Sequence, residues 1–307
     1  MERSIIVIGG PTCSGKTLVG IQLAENLNGE IISADSRQIY KYLDIGTAKP
    51  TRNELKKVKH HFISELEPDA DYDVSKYEKE AHLRIERIFK KNKTPIIVGG
   101  SGLYIKALTD GIVETPGKEE KLREKLLKEK EKFGNEFIYN KLKKVDPESA
   151  VRMHPSYWKR VIRALEVYYL TGKPISQLHK EQIDTHHYKF EEYILNWSRE
   201  ILYKNIEKRV DKMFDSGLVK EVEVILNKGY SKELNSLNTV GYKETISYLE
   251  NEISLERAIE LIKRNSRRFA KRQLTWFRKN KNNNWIDIHS KKDLNIFTDK
   301  LLQKRTK

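Results

Sequence analysis

Gly10-Pro11-Thr12-Cys13-Ser14-Gly15-Lys16-Thr17 is the stretch on which the reading of this chain turns. A glycine, four residues and then Gly-Lys-Thr is the spacing of a phosphate-binding loop. The apolar, β-branched run Ile5-Ile6-Val7-Ile8 precedes it and predicts a buried parallel strand. Leu18, Ile21, Leu23, Ala24 and Leu27 follow at helical spacing. Strand, glycine loop and helix together are the context the motif requires. Backbone N–H groups of the loop and of the helix N-terminus would wrap a polyphosphate. Lys16 would add a point charge and Thr17 a hydroxyl for Mg²⁺. Nothing in the loop itself specifies a nucleotide.

The remaining strands repeat the theme. Glu30-Ile31-Ile32-Ser33 ends at Asp35, Pro95-Ile96-Ile97-Val98 runs into Gly99-Gly100-Ser101-Gly102, and Tyr193–Trp197 and Trp285–Ile288 return to strand character. In an open α/β sheet, ligands bind beyond the carboxyl ends of the strands, which brings Asp35 near the glycine loop. From its position alone Asp35 can be a helix N-cap, a group behind Mg²⁺, or a reacting carboxylate. The expectation is an α/β fold: a P-loop NTPase-like parallel sheet core flanked by helices, with an inserted all-helical domain.

The insertion is marked by composition. After Thr115-Pro116-Gly117, the segment Glu119–Lys132 is almost all charge, with Leu122, Leu126 and Leu127 as a sparse apolar face. A second helix carries Lys159 and Arg163 on one face, and Val161, Leu165 and Tyr168 on its buried side. The expected division is 1–115 with 190–307 as core and 116–189 as insertion.

The 307 residues carry 59 Lys and Arg against 44 Asp and Glu, a net charge of +15. Such an excess favours polyanionic partners. Lys263, Arg264, Arg267, Arg268, Lys271, Arg272, Arg278, Lys279 and Lys281 follow one another without an acid, and Phe269, Trp276 and Phe277 interleave. Arg264, Arg268 and Lys271 fall at i, i+4 and i+7, so they form one stripe. A basic stripe without counter-charges points to nucleic acid. The single cysteine, Cys13, excludes an internal disulfide and fits a reducing cytoplasm; inside the loop it either is reactive or fills a small-residue slot. No run approaches the length of a membrane span, and no signal peptide is evident.

These residues form a recognisable set. The chain resembles the bacterial tRNA dimethylallyltransferases, also called tRNA isopentenyltransferases, from the glycine loop nearly to the C-terminus. The family's loop is matched with Cys13 in place of alanine. Asp35, Ser36, Gln38 and Tyr40 match its Asp-Ser-x-Gln-x-Tyr, and Asp44–Pro50 its Asp-Ile-Gly-Thr-Ala-Lys-Pro. Further matches are Gly99–Tyr104 (with Ser101 for threonine), Arg160–Val167, Arg209-Val210 with Met213, Gly241–Glu244 and Ala270–Phe277. His154-Pro155-Ser156-Tyr157 departs from the family's usual His-Pro-Asn-Asp, which bears on the capping of the next helix.

The resemblance implies transfer of a five-carbon allylic group from dimethylallyl diphosphate to the exocyclic amine of adenine 37, next to the anticodon, in tRNAs that read codons beginning with U. It implies that Gly10, Pro11, Thr12, Cys13, Ser14, Gly15, Lys16 and Thr17 hold the diphosphate, with Mg²⁺ on Thr17. Thr17 and Arg209 would meet the charge of the departing diphosphate, and Asp35 would act as general base. Asp35, Ser36, Arg37, Gln38, Ser101, Arg123, Lys159, Arg160, Val161, Ile162 and Arg163 match positions that touch the tRNA anticodon stem-loop. A cytoplasmic monomer without membrane partners is expected. Three other readings share features with this one: a kinase using the same loop for ATP, an enzyme that prenylates free adenine nucleotides, and a non-catalytic RNA-binding module. The helical insertion and basic stripe argue against the second, and the intact Lys16, Thr17 and Asp35 against the third.

Overall fold

The computed structural model describes residues 3–117, 119–181 and 188–305. Six strands form one sheet: β1 Arg3–Gly9, β2 Gly29–Ala34, β3 His60–His61, β4 Thr94–Gly99, β5 Tyr188–Trp197 and β6 Asn284–Ile288. Their order is β3-β2-β4-β1-β5-β6, and every pairing is parallel. Parallel strands joined by crossover helices are buried on both faces, which is why Ile5, Ile6, Val7 and Ile8 are all 0 % exposed. Each such side chain contributes about 1.5–3 kcal/mol relative to exposure.

The order of the strands locates the site. The chain leaves β1 toward β2 and leaves β4 in the opposite direction, toward β5. Between β1 and β4 the carboxyl ends therefore open a crevice, the place where such sheets take ligands. The glycine loop follows β1, and Gly100-Ser101 follows β4. Gly99 has to be glycine: a Cβ there would lie 2.1 Å from the Ala34 carbonyl oxygen of β2.

The chain divides into two compact units, Met1–Thr109 with His187–Lys307, and Asp110–His186. Tyr188 and Lys189, which composition assigned to the insertion, form the start of β5, and they pair with Arg3 and Ser4 of β1. Lys189, Glu191 and Glu192 break the apolar pattern in the first half of the strand and hid that start. Lys118 and residues 182–187, within the expected insertion, lie outside the described residues.

The second unit is helical: Glu120–Phe133, Asn135–Val145, Pro147–Val151, Trp158–Thr171 and Ile175–Glu181. Leu126, Ile138, Leu142, Val161, Ile162 and Leu165 make its core. The first helix is opened by Glu119, whose carboxylate accepts the Lys121 and Leu122 N–H groups. His154 caps the short turn Pro155–Tyr157 by accepting the Ser156 N–H, whereas the next helix, Trp158–Thr171, starts from Tyr157 without a side-chain cap, where the departure from the family pattern falls. Among the described residues, no helix is long and apolar enough to cross a membrane.

Candidate active site

Beyond the carboxyl ends of β1, β2 and β4 lies a cavity of about 550 Å³. Its lining includes Thr12–Thr17, Asp35–Gln38, Thr47, Ser101, Arg209 and Gln273. Helix Lys16–Asn26 starts on the loop, and Gly15 stands before it at φ +89°, a conformation that favours glycine. Cys13 takes φ +64° without that freedom, backbone strain of a kind found at ligand clamps. The Trp197 indole N–H at the end of β5 donates to the Ser14 carbonyl at 2.9 Å and anchors the loop from below.

Two cations meet at this loop with no carboxylate in ion-pair distance among the described residues. Lys16 Nζ donates to the Pro11 carbonyl at 2.6 Å, with Ser14 Oγ at 3.5 Å. Burial pushes the Lys16 ammonium down from its usual 10.5 to about 8, and the neighbouring Arg209 charge pushes the same way. Arg209, on helix Arg199–Asp215, donates to Thr12 Oγ1 at 3.0 Å and to the Thr47 carbonyl at 3.4 Å. Two positive groups held by neutral acceptors leave a net charge that an anion would neutralise.

Gln273 was not singled out from sequence, yet it joins the two glycine loops. Its Oε1 accepts the Thr12 N–H at 2.9 Å, and its Nε2 donates to the Gly100 carbonyl at 2.8 Å. Gln273 falls in the matched stretch Ala270–Phe277, but a hydrogen bond spanning 261 residues leaves no local signal of this role. Asp35 stands at the end of β2, where its Oδ1 accepts the Arg37 and Gln38 N–H groups at 2.8 and 3.3 Å. The turn-capping role open from sequence is thus present, and the same carboxylate lines the cavity. Ser36 N–H donates to Ser101 Oγ at 3.2 Å. Gln38 donates to the Thr47 and Ala48 carbonyls at 3.1 and 3.2 Å, holding the loop that receives Arg209. That loop is pinned from outside by Glu221, which accepts the N–H groups of Asp44, Ile45 and Gly46 at 3.1, 2.7 and 3.1 Å and the Tyr242 hydroxyl at 2.6 Å.

Among the described residues no three His, Cys, Asp or Glu side chains gather as a metal cage. Thr17 and Asp35 both line the cavity. A hydroxyl and a carboxylate suit Mg²⁺, which takes few protein ligands and completes its shell with phosphate oxygens and water.

The residues of the insertion divide into two kinds. Lys159 and Arg160 are exposed, over the rings of Trp158 and Tyr157 at 5.4 and 5.5 Å. Val161 and Ile162 are 0 and 2 % exposed in the unit's core, which corrects their placement among residues that touch RNA. Arg163 donates to Glu166 at 2.8 Å, and to Thr115 Oγ1 and the Pro116 carbonyl at 2.8 Å each. Arg123 stands 3.6 Å from the same Glu166, which is 0 % exposed. Both arginines neutralise a buried carboxylate, a structural role beside the RNA contact expected from sequence.

The basic helix Leu255–Phe277 also needs correction, because acids from helix Arg199–Asp215 neutralise part of it. Lys263 pairs with Asp211 at 2.5 Å and Arg267 with Glu207 at 2.7 Å. Among the described residues, Arg264, Arg268 and Lys271 have no such partner, and Arg268 and Lys271 are exposed.

Comparison with known proteins converges on one kind. The family model described as IPP transferase matches residues 38–280. Over 289 residues the chain is 46 % identical to a tRNA dimethylallyltransferase of Halothermothrix orenii, covering 94 % of this chain and 88 % of that protein. A crystal structure of a tRNA isopentenylpyrophosphate transferase from Staphylococcus epidermidis superposes with a TM-score of 0.71 at 39 % identity, over 99 % of each chain. A eukaryotic dimethylallyltransferase described as acting on tRNA gives a TM-score of 0.82 at 34 % identity, over 94 % of this chain and 74 % of that one.

Proposed function

The chain belongs to the IPP transferase family, and on that premise we propose that it moves a dimethylallyl group from dimethylallyl diphosphate to N6 of the adenine 3′ of a tRNA anticodon, releasing diphosphate. It is a prenyl-transferring enzyme of tRNA. The finer reading is position 37 in tRNAs that decode codons beginning with U, by a cytoplasmic monomer. The observation that carries the proposal is the pair Lys16 and Arg209, two cations at the glycine loop without an acidic partner among the described residues, in one cavity with Asp35.

The chemistry follows from those positions. The diphosphate sits on the loop amides, with Lys16 and Arg209 against its oxygens. The N6 lone pair forms the new bond to the allylic carbon as the carbon–oxygen bond breaks, and the bonding pair leaves with the diphosphate. Charge thus grows on the leaving oxygen, where fixed cations stabilise the transition state most. Bound Mg²⁺, with Thr17 as a ligand, would add further charge neutralisation. Adenine N6 is a weak nucleophile because its lone pair is delocalised into the ring, so Asp35 takes its proton during attack. The base must leave the anticodon stack to reach the cavity. Lys159 and Arg160 of the insertion would meet phosphates of the anticodon stem.

Mass spectrometry of tRNA incubated with enzyme and dimethylallyl diphosphate tests the reading. One added five-carbon unit per tRNA, confined to the adenine after the anticodon, is expected. Unmodified tRNA, or turnover of ATP in place of the allylic donor, would sink it.

A further inference from the structure

On helix Leu255–Phe277 the residues Ile262, Ser266, Phe269 and Gln273 all line the cavity. Their spacing of four, three and four puts them on one helix face. Two of them are buried, Ile262 at 1 % and Gln273 at 7 %, whereas Phe269 is 38 % exposed. Burying a phenylalanine ring is strongly favourable, so a ring left open at a cavity mouth calls for an occupant. Its neighbours are cationic. Arg268 and Lys271 are exposed and unpaired among the described residues, and the Arg272 guanidinium lies 5.7 Å from the Phe269 ring centroid. Arg272 also lines the cavity. Phe269 therefore stands where the cavity face of the helix meets its basic face. A polyanion lying along the basic face would have to pass this ring to put a base into the cavity.

We propose that Phe269 is the stacking platform for the nucleobase delivered into the cavity, with Arg272 beside it as the cationic edge of that platform. The proposal rests on the tRNA reading above and adds a residue that recognises the base rather than the phosphates. An aromatic ring with a guanidinium at its side offers a π face and a cation–π partner to any base, and it discriminates little between sequences. The specificity of the reaction would then come from which base can be extruded, while Phe269 holds that base once it is out.

The test compares Phe269→Leu, Phe269→Ala and Phe269→Tyr in the full chain. The readouts are affinity for a labelled anticodon stem-loop, single-turnover prenylation, the KM for dimethylallyl diphosphate, and thermal melting. The leucine and alanine variants should each lose roughly 10- to 100-fold in RNA affinity, the range expected for one stacked base. Tyrosine should recover most of it, with the donor KM and melting temperature little changed throughout. Leucine binding RNA as well as phenylalanine does would overturn the proposal, since leucine keeps the apolar bulk and lacks the π face. A rise in the donor KM matching the RNA loss would also overturn it, by putting Phe269 in the allyl pocket. If instead the unsubstituted protein neither binds nor prenylates the stem-loop, the underlying tRNA reading fails, a result separate from any difference among the variants.

Discussion

Arg209 and Arg163 both sit on helices and both match family motifs, yet they differ in what neutralises them. Arg163 faces Glu166, a carboxylate with 0 % exposure, at 2.8 Å. Arg209 faces a threonine hydroxyl and a peptide carbonyl. A buried carboxylate requires its cation, because an unpaired charge in a low-dielectric interior is heavily penalised. A cation held only by neutral acceptors beside a second cation has the opposite character, since the fold itself would be more comfortable without it. Charge satisfied inside the chain marks structure, and charge left over marks a ligand.

The comparison is most exposed at the loop. Lys16→Ala should abolish turnover, and Arg209→Ala should lower kcat/KM by about 10²–10³-fold, with melting temperatures near that of the unsubstituted protein. Relief of repulsion between the two cations should offset the lost hydrogen bonds. A large fall in melting temperature for Arg209→Ala would place it with Arg163 and break the distinction.

Asp35→Asn should slow single-turnover transfer by about 10²–10⁴-fold, the range for loss of a general base, and leave RNA affinity nearly intact. Asparagine keeps an oxygen to accept the Arg37 and Gln38 N–H groups, so the turn should survive. Loss of binding with normal chemistry would make Asp35 a turn residue alone.

The free charge on Lys16 also titrates. In the unliganded fold its ammonium loses its proton around pH 8 rather than 10.5. Below that pH the cation is present and meets the diphosphate directly. Above it, binding must take up a proton, so donor affinity should fall toward tenfold per pH unit. For stability the sign is opposite: between the two values the unfolded chain binds more protons, so the fold gains stability as pH rises through that window. A donor affinity flat from pH 7 to 9.5 would show that Lys16 does not contact the diphosphate.

Arg163→Ala should destabilise the insertion by ~2 kcal/mol, less than a fully buried pair because Arg123 still faces Glu166. Lys159→Ala with Arg160→Ala should leave the melt unchanged and raise the KM for tRNA. The smallest effect belongs to the open face of the long basic helix. Each of Arg268→Ala and Lys271→Ala should reduce the slope of log affinity for RNA against log salt by about one, whereas Arg267→Ala, already neutralised by Glu207, should change it less.

Much of this was legible in the chain. The strand-loop-helix at Ile5–Leu27 showed the phosphate loop, because apolar β-branched runs and glycine spacing are local properties. β3 escaped notice because two histidines carry no strand pattern. The buried side of Trp158–Thr171 was legible in the spacing of Val161, Leu165 and Tyr168, and it already conflicted with reading Val161 as an RNA contact. The neutralising of Lys263 and Arg267 was not legible, since their acids lie on another helix. Local patterns survive in a sequence; partners brought together by packing do not.

The Glu221 clamp has a consequence for how the protein would look to deuterium. Loop amides ordinarily exchange with solvent almost freely. Here three in succession, at Asp44, Ile45 and Gly46, donate to one carboxylate, and they can release their protons only when that carboxylate lets go. The segment should therefore exchange on the slow timescale of the strands, and an exchange map would show, outside the sheet, an island of protection whose rate reports the grip of a single side chain.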